Sequence, residues 1–135
     1  MNQKTIKVSD AFPKDAFGIT NVRRKTWLAT YPNEQEGISI KDIEEAINRR
    51  TIEEEAKEKT ERIITDSSYH TWVAKDGNAV IGFAEVQKKE DRNWICAFYI
   101  LPVYQNMGIG SELMKKILSW LGDIKEIYLE VVKYN

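Results

Sequence analysis

The chain has one cysteine, Cys96, and one histidine, His70. A lone cysteine excludes an intrachain disulfide, and this pair argues against an all-protein zinc site. Net charge is also scarce, since 20 Lys and Arg against 21 Asp and Glu leave −1. Such a balance gives no overall field to gather nucleic acid or anionic lipid, so neither is expected as a partner. No apolar run is long enough to span a membrane, and "MNQKTIKVSD" lacks the apolar centre of a signal peptide. The expected location is the cytoplasm. No internal repeat, low-complexity tract or linker breaks the 135 residues, which fit a single domain, 1–135.

What is present reads as a succession of short elements. "TIKVSD" alternates, and Thr5 to Val8 is expected to be a first strand. Phe17, Val22, Trp27 and Tyr31 recur at roughly helical spacing, which predicts a helix from Ala16 to Thr30 stopped by Pro32. Ser39 with Asp42 and Thr51 with Glu54 resemble capping boxes opening two further helices, the second running to about Ile64. Ile40, Ile43 and Ala46 mark the buried face of one, and Ile52, Ala56 and Ile63 that of the other. The charges of "EEEAKEKTER" read as a solvated helix face of mixed sign.

The period then changes to two. "YHTWVAK", the turn "DGN" and "AVIGFAEVQK" form a hairpin. "KEDRN" is a second turn. "WICAFYIL" is nearly all apolar, as a strand buried on both faces would be, and Cys96 reads as a core residue within it. Ile109, Leu113, Ile117 and Leu121 lie four apart on a helix closed by Gly122, and "EIYLEVV" is a last strand. The expected fold class is α+β (mixed α/β): three antiparallel strands after the early helices, then a parallel strand–helix–strand crossover.

The chemistry gathers in "PVYQNMGIGSELMKKIL". A helix N-terminus leaves N–H groups unpaired and carries partial positive charge, which suits an anion. Gly108 and Gly110 let backbone come close to that anion, Ser111 adds a hydroxyl, and Gln105 can hydrogen-bond across the loop. The segment is not a Walker A loop, because no Lys follows Gly110 directly. The dinucleotide fingerprint fits poorly, because Leu113 stands where its third glycine belongs.

"AFYILPVYQNMGIGSELM" instead matches Q/R-x-x-G-x-G/A after a buried strand ending at Leu101-Pro102. It resembles the acetyl-CoA-binding motif of the GNAT superfamily of N-acetyltransferases, and the order of elements resembles that family over nearly the whole chain. The resemblance implies acetyl transfer from acetyl-CoA to a small-molecule or peptide amine. It implies that the pyrophosphate rests on the loop of Gln105, Asn106, Met107, Gly108, Ile109, Gly110 and Ser111, with pantetheine along the strand at Phe98, Tyr99 and Ile100. A backbone N–H near Ile100 or Leu101 would then face the thioester carbonyl.

"LEVVKYN" resembles a segment of ribosomal-protein N-acetyltransferases whose Glu is the base, which makes Glu130 the first candidate base and Asn135 a pantetheine contact. Glu85 on the third strand is the second candidate. Both positions also fit plain exposed strand carboxylates. Trp27 and Tyr31 are expected beside the acceptor cleft, although Trp27 fits a helix core as well. His70 reads as structural. Family members continue beyond the position of Asn135 with a helix carrying a Tyr acid and two more strands. The resemblance therefore implies a shortened domain of impaired activity, with a non-catalytic CoA- or protein-binding module as the alternative, and a fifth-strand edge through which two copies could pair.

Overall fold

The computed structural model describes residues 5–90, 92–122 and 126–129. Glu130 and Asn135 lie outside the described residues. The strands are β1 (Ile6–Asp10), β2 (Tyr69–Asp76), β3 (Ala79–Lys88), β4 (Asn93–Ile100) and β5 (Ile127–Leu129). The helices are α1 (Ala16–Thr30), α2 (Ile40–Ile47), α3 (Ile52–Thr65) and α4 (Ile109–Leu121). One mixed sheet runs in the order β1-β2-β3-β4-β5. The first three pairings are antiparallel, and β4–β5 is parallel across α4. This is the mixed α/β arrangement that the sequence pattern leads one to expect. No helix among the described residues is long and apolar enough to cross a membrane.

Local signals set the helix starts. The Ser39 hydroxyl accepts the Asp42 N–H at 3.1 Å, and the Asp42 carboxylate accepts the Ser39 N–H at 2.8 Å. Thr51 and Glu54 repeat this reciprocal arrangement at the start of α3. Each box satisfies backbone donors that a helix start leaves open, contributing roughly 0.5–2 kcal/mol. At the β2–β3 turn Gly77 has φ of +62°, a conformation that favours glycine in a two-residue hairpin.

The sheet is covered on both sides. On one side the α4 stripe of Ile109, Leu113, Ile117 and Leu121 packs on Trp72, Ala74, Ala84 and Val86. On the other, Ile19 and Val22 of α1 pack on Val73 and Phe83, with Ile63 of α3 beside them. Tyr31 joins Ile43 and Ile47 of α2 in a smaller cluster. Each fully buried aliphatic side chain contributes roughly 1.5–3 kcal/mol.

Several expectations need correction. The first strand begins and ends later, because β1 pairs with β2 through Asp10 opposite Trp72. Ile40 and Phe17 are exposed, and the buried faces use Ile43 with Ile47 in α2 and Ile19 with Val22 in α1. β4 is only partly buried, and Cys96 is exposed rather than part of the core. Among the described residues β5 flanks only the first part of β4.

The charges of α3 are not simply a solvated face either. Glu55 is buried and takes Arg23 at 3.1 Å and Arg24 at 3.2 Å. Lys59 and Arg62 reach under the helix to Glu85 of β3, at 2.6 and 2.8 Å.

Candidate active site

The site begins at an irregularity in β4. Glu85 pairs with Ala97 and Val86 with Ile95, so Cys96 is an extra residue with no partner on β3. Such a bulge bends the strand that carries it. Among the described residues β5 pairs with Asn93, Trp94 and Ile95, and no strand covers the outer edge of β4 from Cys96 to Ile100. An open edge of this kind presents a row of backbone donors and acceptors to any extended molecule.

Ladder geometry shows which groups face outward. The Leu101 N–H donates to the Ile81 carbonyl at 2.9 Å, so this N–H is taken and cannot serve a ligand. That bond makes residues 81 and 101 a hydrogen-bonded pair. The next pair, Gly82 and Ile100, is then non-hydrogen-bonded, and the N–H and C=O of Ile100 point to the outer edge. In agreement, the Gln105 side-chain amide donates to the Ile100 carbonyl at 3.0 Å. Of the two residues expected to offer an N–H to a carbonyl, Ile100 is therefore the one free to do so.

Beyond the edge lies a cavity of about 400 Å³. Residues 95–100 of β4 form its floor. Thr26, Thr30 and Tyr31 come from the α1 side, Met114 from α4 and Leu129 from β5. Phe98, Tyr99, Ile100 and Gln105 of the expected cofactor set line it. Trp27 stands one layer back, its indole N–H donating to the Tyr99 hydroxyl at 3.1 Å.

The loop after β4 is tied down before it turns. A 3-10 turn at Pro102–Tyr104 places the Tyr104 hydroxyl 2.7 Å from the Asp76 carboxylate, to which it donates. Hydrogen bonds from Thr5 and from Tyr104 hold the Asp76 carboxyl below its usual range, and the same bond lifts the Tyr104 phenol. The loop then takes left-handed conformations at Asn106 (φ 64°) and Gly108 (φ 82°). Gly108 precedes the first residue of α4, and no side chain caps it. The first helical acceptor is used by Glu112, whose N–H donates to the Gly108 carbonyl at 3.2 Å.

Among the described residues the N–H groups of Ile109, Gly110 and Ser111 have no hydrogen-bond acceptor. Donors converging from left-handed turns and a helix start form a concavity for anions. A Cβ at Gly110 would lie 3.6 Å from Ile100 and from Phe98, an ordinary contact. Packing therefore does not demand glycine there, and the room beside the helix start opens towards β4.

Glu85 is not part of this cavity. It is 2% exposed, and its carboxylate accepts from Lys59 at 2.6 Å, Arg62 at 2.8 Å and the Thr71 hydroxyl at 3.0 Å. Burial pushes the Lys59 ammonium below its ordinary value, with Glu85 pulling the other way. His70, in turn, lies 2.8 Å from Asp10 and packs at a tilt against the Trp72 ring.

Sequence reasoning did not anticipate the bulge at Cys96 or the bond from Trp27 to Tyr99. The first has no composition signal. The second joins residues 72 positions apart, which periodicity does not detect.

Comparison with known proteins follows the same lines. A model of the acetyltransferase (GNAT) family matches residues 38–135. The structure is similar to a PaiA N-acetyltransferase from Thermoplasma acidophilum in complex with coenzyme A. The identity is 24%, 96% of this chain and 81% of that one are covered, and the TM-score is 0.78. It is also similar to a possible acetyltransferase from Clostridium difficile 630, with 14% identity, 97% and 82% covered and a TM-score of 0.66. A third similar structure is an aminoglycoside acetyltransferase from an uncultured soil metagenomic sample in complex with sisomicin. There the identity is 15%, the coverage 98% and 81%, and the TM-score 0.63. Among curated protein sequences none matches the chain.

Proposed function

The chain belongs to the acetyltransferase (GNAT) family, and we propose that it moves the acetyl group of acetyl-CoA to the nitrogen of a primary amine. One observation carries this reading. Among the described residues the N–H groups of Ile109, Gly110 and Ser111 are without an acceptor at a helix start whose Gly110 lies beside Ile100 and Phe98, and Ile100 turns its own backbone to the outer edge of β4. Backbone donors at the helix start suit a pyrophosphate, and the edge of β4 suits the extended amide-bearing pantetheine arm.

When bound, acetyl-CoA supplies an activated acyl group: a C–N bond forms, the thioester C–S bond breaks, and the proton lost by the amine ends on the thiol. The chain's own residues orient this exchange. The N–H of Ile100 is the proposed donor to the carbonyl, where charge develops. Gln105 fixes the Ile100 carbonyl and thereby the local strand. Glu130 is the proposed base, supported by its place next after Leu129, which lines the cavity. Asn135 is the proposed further pantetheine contact. Glu85 is proposed to hold α3 to the sheet rather than to move protons, since both of its oxygens are engaged by α3 or Thr71.

The test is release of free thiol from acetyl-CoA on incubation with a panel of primary amines. Release that depends on an amine is expected. Binding of acetyl-CoA without release for any amine would assign the chain to the class of non-catalytic CoA-binding modules instead.

A further inference from the structure

The described walls of the cavity carry no charge. Among the described residues, no Asp, Glu, Lys or Arg lines it. Its α1 side presents Thr26, Thr30 and Tyr31, and Tyr99 rises from the floor. These are hydroxyls and aromatic rings.

Behind them Trp27 is held on three sides. Its N–H donates to the Tyr99 hydroxyl at 3.1 Å, and its ring meets Tyr31 edge-on at 5.0 Å. The Arg23 guanidinium covers it at 4.7 Å and is itself paired with Glu55. Because the Tyr99 oxygen already accepts from Trp27, its own O–H is left to donate.

We propose that the acceptor is an amine on an aromatic or apolar body, seated against Tyr31 and Tyr99, with Trp27 as the residue that positions the Tyr99 hydroxyl. This rests on the acetyl-transfer reading and narrows it to a substrate class. A polycationic acceptor would bring several ammonium groups out of water onto described walls that carry no carboxylate, with the proposed base Glu130 the one acid assigned to the site, which is costly. Rings can attract a cation, but Arg23 already covers the Trp27 ring. An arylalkylamine brings one ammonium, the one that reacts, and a ring that gains from contact with tyrosines.

The experiment compares kcat/KM for tyramine, spermidine and kanamycin at saturating acetyl-CoA. Tyramine is expected to exceed both others by about tenfold or more. Trp27→Phe should raise the KM for tyramine several-fold and leave the KM for acetyl-CoA unchanged, and Tyr99→Phe should raise the KM for tyramine by a similar factor. Together they should do little more than either alone, because they interrupt one interaction. Spermidine or kanamycin matching tyramine, no transfer to tyramine, or fully additive effects of the two substitutions would overturn the proposal. The acetyl-transfer reading fails separately, and only if no amine of the wider panel releases thiol.

Discussion

Gly110→Trp is expected to weaken acetyl-CoA binding by on the order of 100-fold or more, equivalent to about 2.8 kcal/mol. Gly110 sits in the first turn of α4, beside Ile100 and Phe98 on the open edge of β4. A Cβ there makes ordinary contacts at 3.6 Å, so the backbone tolerates a side chain. An indole does not fit between the helix start and the strand without filling the space in which pantetheine and pyrophosphate would meet. Gly110→Ala separates this from a folding defect. Its single methyl should leave the melting temperature close to that of the parent and cost no more than a few-fold in affinity. Calorimetry on the three proteins decides the point, and equal affinity in the tryptophan variant would remove the loop from the account.

The second large effect is on stability. Glu85→Leu should destabilise the fold by roughly 2–4 kcal/mol, read from urea unfolding, because it leaves the largely covered Lys59 ammonium without its partner. Combining Glu85→Leu with Lys59→Met and Arg62→Leu should recover most of that loss, since an apolar set of similar volume carries no buried charge to compensate. The pH dependence has a definite sign. Burial already sets the folded Lys59 below its ordinary value, and Glu85 opposes that shift. Without Glu85 the folded value drops further. Between that depressed value and the ordinary lysine value the unfolded chain binds more protons. The single variant should therefore gain stability as pH rises through this window, and the triple variant should not. A single variant as stable as the parent would show that the cluster does not hold α3 to the sheet.

What could be read from the sequence was what is local. The limits of α1, the two capping boxes and the α4 stripe depend on residues within a few positions of one another. The loop was legible because Gln105, Gly108 and Gly110 fall in one short segment between a strand and a helix. The charges on α3 read as solvated from sequence because their partners, Arg23, Arg24 and Glu85, come from other elements. A signal was nonetheless present. Glu55, Lys59 and Arg62 follow helical spacing on the side of Ala56 and Ile63, where a solvated face would not be expected. The apolar run of β4 suggested burial on both faces. Among the described residues, the bulge at Cys96 and the end of the β5 pairing at Ile95 leave that side open, and the cavity there is the candidate site.

The central claim is that the start of α4 holds a pyrophosphate through its backbone. Titration of the isotopically labelled protein with coenzyme A, followed by amide resonances, tests it most directly. The account predicts saturable shifts that are largest at Ile109, Gly110 and Ser111, with Ile100 shifting as well. Shifts confined to other parts of the chain, or no saturable change at those amides, would contradict it.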